Sequence, residues 1–232
     1  MIHLLATKPH CETTGAKERP VLILQIAFHR NGAGRYNSPM SHLELIAAVF
    51  GLACVWLVVR QNIWCWPVGL VQVALYVVIF YDARLYADMG LHVIYIFLQL
   101  YGWQYWLRGG PRENTLPVSR LPWQANLAWA LGIAAGAGSL GLALDHNTNA
   151  DLPYWDSAIV AMSLAAQYLL ARKVLENWVW WIAVDVLGIG VYAYKDLYYT
   201  AGLYTVFLGL SVWGWFAWRK SLLQDRIAAV AV

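Results

Sequence analysis

The chain has 232 residues, of which 60% are hydrophobic and only 12% charged, and its mean hydropathy is +0.49. Soluble domains carry about twice that share of charge, so the composition excludes an ordinary water-soluble fold and points to a polytopic protein of the lipid bilayer. The formal net charge of +3, with no dense basic run, argues against nucleic acid as a partner.

Residues 1–41 differ in composition from the remainder of the chain, with Lys8, Lys17, Arg19, Arg30 and Arg35 spread among Pro, Gly and Thr. Their apolar run, Val21 to Phe28, is too short to span a bilayer and lacks a small-residue cleavage site, so it makes a poor signal peptide. The expectation is a loosely ordered extension or a surface helix ahead of a transmembrane domain over residues 42–220, with residues 221–232 as a cytoplasmic tail. Seven apolar windows then succeed one another, at about 43–59, 64–81, 88–107, 123–144, 155–171, 178–194 and 198–218. Between the third and fourth, Gly109, Gly110, Pro111, Pro117 and Pro122 predict a loop. The fourth window differs in kind: Gly132, Gly136, Gly138 and Gly141 among many alanines suit a linker helix that lets neighbouring backbones come close.

An internal repeat organises the rest. A shift of 112 places Trp66 on Trp178, Leu85 and Tyr86 on Leu197 and Tyr198, Gly90 on Gly202, and Gly102, Trp103 and Trp106 on Gly214, Trp215 and Trp218. Glu44 falls on Asp156 and Arg60 on Arg172 in the same ungapped register. Matches of Leu are cheap in so apolar a chain; matches of Trp and Gly are not. The predicted fold class is therefore an all-α polytopic membrane protein: seven transmembrane helices as two parallel three-helix repeats joined by a linker helix, 3+1+3. Arg60, Arg108, Arg112, Arg120, Arg172, Lys173, Arg219, Lys220 and Arg226 collect on one side, which the positive-inside rule makes cytoplasmic.

The polar residues inside the windows carry the functional signal. A carboxylate at membrane depth costs about 2.5–3.5 kcal/mol even on permissive scales, so Asp185 is expected to face a cavity or a partner. At 100° per residue, Trp178, Trp181, Asp185, Gly188 and Tyr192 share one helix face: two indoles, a carboxylate, a gap at Gly188 and a phenol, a wall for a flat and cationic ligand. Matching stripes carry His92, Tyr95 and Gln99 in the third window, Asp156, Ser163 and Gln167 in the fifth, and Tyr204, Phe207 and Ser211 in the seventh; Gln72 lies near the Trp66 and Gly69 face of the second. For any one of these, a helix-to-helix hydrogen bond is the simpler explanation; their convergence favours a polar, non-basic cavity. His92 by itself reads as a packed or hydrogen-bonded residue. Cys11, Cys54 and Cys65 have no metal-ligand spacing and no disulfide framework, so neither metal nor cofactor is expected. An enzyme would need a nucleophile with its base or clustered His and acidic ligands, and no GxxxxGK[ST] loop marks an ATP-driven pump.

The segments WCWPVGLVQVALYVVIFYDARLYADMGLHVIYIFLQLYGWQYW and ENWVWWIAVDVLGIGVYAYKDLYYTAGLY, with their LYAD, YGWxxW and NWxxWxxxD motifs, resemble the PnuC family of bacterial nicotinamide riboside transporters. The resemblance runs from His42 to Lys220. It implies a SWEET-like seven-helix core, a homotrimer with one pathway per protomer, and facilitated diffusion of nicotinamide riboside across the bacterial inner membrane, with trapping by cytosolic phosphorylation. Family members often carry an extra helix before the core, for which residues 1–39 are a poor match; related transporters carry thiamine or riboflavin. Carried over by motif, Asn177, Trp178, Trp181 and Asp185 become the leading substrate-binding candidates, joined by Gln72, Gln99 and Gln167 and by Trp66 and Tyr192.

Overall fold

The computed structural model describes residues 42–82, 86–109, 116–147 and 152–230; the expected N-terminal extension lies outside them. The described residues form α1 (His42–Val59), α2 (Cys65–Asp82), α3 (Tyr86–Arg108), α4 (Trp123–Asn147), α5 (Pro153–Ala171), α6 (Asn177–Tyr194) and α7 (Tyr198–Val230). The helices match the apolar windows closely, with two differences. Helix α4 runs to Asn147, and α7 continues past the predicted span end at 218 as far as Val230, because the polar sequence after Trp218 ends the apolar run without breaking the helix. By length and apolar composition, α1, α2, α4 and α7 each suffice to cross a membrane. Helices α3, α5 and α6 carry much of the polar and aromatic lining of a central cavity.

Local chemistry sets the tight connections. Gln61, Lys173 and Asp196 adopt left-handed backbone, with φ of 54°, 55° and 59°. Pro153 starts α5 in the first turn, where a missing N–H costs nothing. Turns α1–α2 and α5–α6 repeat each other bond for bond: Gln61 N–H donates to Val58 O and Asn62 N–H to Leu57 O, as Lys173 N–H does to Leu170 O and Val174 N–H to Leu169 O.

Contacts 112 residues apart recur through the core. Trp66 meets Trp106 edge-on, with centroids 5.3 Å apart and planes at 84°, and Trp178 meets Trp218 at 5.5 Å and 89°. The outer members of these pairs reach across: Trp106 Nε1 donates to Leu170 O of α5 at 3.4 Å, and Trp218 Nε1 donates to Val58 O of α1 at 3.0 Å. The inner members lie on glycine. A β-carbon on Gly102 would sit 2.7 Å from Trp66 Cζ2, and one on Gly214 would sit 2.6 Å from Trp178 Cε2. Lipid tails are as apolar as Leu, so helices in a bilayer are held by fit and hydrogen bonds more than by expulsion from water. Each aromatic pair adds about 0.5–1.5 kcal/mol beyond its contact area. The four tryptophans share one core cluster with Cys54, Cys65 and Leu170.

Helix α4 packs chiefly on α5. Its glycines are not uniformly close-approach positions as expected: Gly141 lies against the Tyr154 ring, where a β-carbon would be 2.5 Å from Cδ1, whereas Gly132 and Gly138 meet nothing within 4 Å. On the Arg-rich side, residues 116–121 are strapped to the α5–α6 turn. Ser119 N–H donates to Lys173 O and Leu175 N–H to Ser119 O. The Glu176 carboxylate accepts from Arg120 Nε at 3.0 Å and from Leu121 N–H at 3.1 Å. Lys173 itself is buried, donates to Leu116 O at 2.6 Å and stands 4.7 Å from the Trp106 ring. Removal from water pushes its ammonium down from the ordinary 10.5 to about 8, partly offset by the Asp225 carboxylate.

Candidate functional site

A cavity of about 170 Å³ lies between α1, α2, α3, α5, α6 and α7; α4 contributes nothing to its lining. Trp66 and Trp178, in the first turns of α2 and α6, form one end, each 1% exposed and fixed by its glycine and its edge-on partner. The α1–α3 side presents Gln72 and Tyr76 from α2 with His92, Tyr95 and Gln99 from α3. Helices α5–α7 present Ser163, Gln167, Trp181, Asp185, Tyr204 and Ser211. Helical spacing accounts for each set: Gln72 and Tyr76 are one turn apart, as are Ser163 with Gln167 and Trp181 with Asp185.

Asp185 is 3% exposed, and its Oδ2 accepts the Ser211 hydroxyl at 2.8 Å. Among the described residues neither lysine nor arginine lines the cavity, so no ammonium or guanidinium in the wall offsets this carboxylate. His92 sits among rings, 4.6 Å from Phe80 and 5.3 Å from Tyr76, with Nδ1 at 3.0 Å from Asp88 O. Three buried donors of the lining find no hydrogen-bond partner among the described residues: Nε1 of Trp66, Nε1 of Trp178 and Nε2 of Gln167.

Of the nine candidates, Trp66, Gln72, Gln99, Gln167, Trp178, Trp181 and Asp185 line this one cavity. Asn177 and Tyr192 do not. Asn177 is fully buried where α6 begins and donates from Nδ2 to Val174 O at 2.6 Å, so its amide serves the turn. Tyr192 packs two turns beyond Asp185, its ring 5.1 Å from that of Tyr204. Nor is the face at Gly188 an open gap: the Tyr204 ring of α7 occupies it, where a β-carbon would be 2.5 Å from Cδ1. Asp156 also turns away from the cavity, pairing with Lys195 Nζ at 3.2 Å, with both side chains almost out of solvent. That pairing relieves two charges that would be costly alone. Sequence reasoning passed over Tyr76, Cys54 and Cys65. The first was findable one turn after Gln72; the cysteines read as packing residues and are both packed and part of the wall.

A family model described as "Nicotinamide mononucleotide transporter" matches residues 41–220. The nicotinamide riboside transporter PnuC of Escherichia coli K12 is 26% identical over 225 residues, covering 86% of this chain and 93% of the relative. The riboflavin/roseoflavin transporter RibM of Streptomyces davaonensis is 26% identical over 187 residues, covering 78% and 86%. Among solved structures, the crystal structure of the vitamin B3 transporter PnuC superposes with a TM-score of 0.64 at 26% identity, covering 78% of this chain and 82% of that one.

Proposed function

The chain belongs to the nicotinamide mononucleotide transporter family, which makes it a membrane transporter and not an enzyme, and from that premise we propose that it imports nicotinamide riboside. The observation that carries this reading is the wall itself: indoles, amides and one carboxylate, with no lysine or arginine. Nicotinamide riboside is a flat pyridinium cation with a carboxamide and a polyhydroxyl ribose. An indole face attracts a cation by about 0.5–2 kcal/mol, and Trp181 supplies one beside Asp185. The amides of Gln72, Gln99 and Gln167 suit the carboxamide and the hydroxyls. A 5′-phosphate would bring negative charge toward Asp185 with no lysine or arginine in the wall to offset its desolvation, which disfavours the nucleotide of the family's description.

The same reading gives the transport mode. Seven helices cross the bacterial inner membrane as two parallel three-helix repeats joined by α4; the contacts recurring at 112 residues support that arrangement, with Trp66 and Trp178 closing the cytoplasmic end. Passage is facilitated diffusion, and phosphorylation in the cytosol traps the product. The cavity lies within one chain, so each subunit of a homotrimer, the assembly that the family resemblance implies, has its own pathway. Titration of purified protein against nicotinamide riboside, its 5′-phosphate, riboflavin and thiamine, followed by tryptophan fluorescence, tests the assignment. Preferential quenching by the riboside supports it; preference for riboflavin, as the RibM relative's name suggests, or for the nucleotide, overturns it.

A further inference from the structure

The two halves of the cavity wall differ in a reciprocal way, which the 112-residue register makes visible. In α6–α7 the wall has a large residue, Trp181, and a small one, Ser211; at the corresponding places of α2–α3 stand Gly69, behind the wall, and Gln99, in it. A second pair of related places shows no such exchange but again sets a glycine beside an amide: Ser163 and Val184 on one side, Gly51 and Gln72 on the other. The glycines are where the amides rest. A β-carbon on Gly69 would overlap Gln99 Nε2 and come within 3.0 Å of Gln99 Cδ and of Cys54 Sγ. One on Gly51 would stand 2.8 Å from Gln72 Nε2 and 3.2 Å from its Cδ. Real β-carbons do not approach this closely, so an added methyl must displace the amide. Apart from Cys54 Sγ, at 3.0 Å from the Gly69 position, the atoms in the way are the far ends of flexible glutamine side chains, which can give way before the helices move.

We propose that Gly51 and Gly69 are positioning residues for substrate recognition: bare backbone shelves that hold the Gln72 and Gln99 amides opposite the Trp181–Asp185 face, so that these two amides form one side of the cavity. The inference rests on the proposed substrate, since it assigns the amide side to the carboxamide and ribose while the cationic ring lies against Trp181. Gly69 has the closer contact and the larger effect.

The test compares wild type, Gly69→Ala, Gln99→Ala and the double variant in detergent, each titrated with nicotinamide riboside and riboflavin, with Gly138→Ala of α4 as a control that meets nothing within 4 Å. The expected result is that Gly69→Ala weakens riboside binding about tenfold, the worth of a hydrogen bond or two, while its thermal midpoint stays close to wild type. On the Gln99→Ala background the same glycine change has little further effect, because the amide it displaces is gone and only Cys54 Sγ, at 3.0 Å, remains in the way. Equal weakening with and without Gln99, or unchanged binding, overturns the shelf. If wild type binds riboflavin and not the riboside, the substrate reading fails, and the same cycle read with riboflavin still decides the shelf. A structure of Gly69→Ala decides it with no ligand at all: a displaced Gln99 amide supports the proposal and an unmoved one contradicts it.

Discussion

Replacing Asp185 with Asn should separate charge from shape in this cavity. The carboxylate is 3% exposed, accepts one hydrogen bond from Ser211, and has no lysine or arginine beside it in the wall. A pyridinium about 5 Å away, at an effective dielectric of about 20, would gain about 3 kcal/mol from it, a factor of roughly a hundred in affinity. Asparagine keeps the size and can still accept from Ser211, so the fold should tolerate it; removing a buried charge should leave the thermal midpoint equal or higher. The assay is a pair of titrations by tryptophan quenching, one with nicotinamide riboside and one with its reduced, uncharged dihydropyridine form. Asp185→Asn should lose most of its affinity for the cation and little for the neutral form. Equal losses for both would make Asp185 a hydrogen-bond acceptor to ribose, and wild-type affinity for both would refute its role in the site.

The same geometry sets three further outcomes. Trp181→Ala should weaken binding of the riboside by about 1 kcal/mol or more, roughly tenfold or greater, with Trp181→Phe losing less, both read by calorimetric titration. Gly214→Ala drives a methyl into the Trp178 ring, which its neighbours hold in place; at about 1–3 kcal/mol for overpacking it should lower the thermal midpoint by several degrees. For Lys173, held down at about 8 against 10.5 when exposed, folding favours the neutral amine. Its contribution is therefore fully present above the unfolded value and lost as pH falls through about 8. Wild type should gain thermal stability relative to Lys173→Met between pH 8 and 10.5, and a constant difference across that window would contradict the burial argument.

Much of the site was legible because helical phase is a strong constraint. Trp178, Trp181 and Asp185 share a face by spacing alone, and all three line the cavity. Phase gives the angle about the axis and says nothing of depth or of what a neighbouring helix contributes. Gly188 lies on the same face, yet its space belongs to Tyr204 from α7. Tyr192 lies too far along α6, and the amide of Asn177 is taken up by Val174 O in the preceding turn. The glycine and tryptophan matches at 112 residues were readable because each Trp needs its Gly: the ring of Trp66 lies where a side chain on Gly102 would be. The strap was not readable. Glu176 and Lys173 look like ordinary loop charges in sequence, and their partners at 116–121 are more than fifty residues away.

One chain of this transporter is proposed to carry a complete nicotinamide riboside pathway selective against the phosphorylated form. Uptake of labelled nicotinamide riboside into proteoliposomes holding the purified protein tests it most directly. Uptake should saturate and run to equal concentrations inside and out, without an imposed proton or sodium gradient, and excess nucleotide should not compete. Uptake that never saturates, that requires an ion gradient, or that the nucleotide blocks as well as the riboside would contradict it.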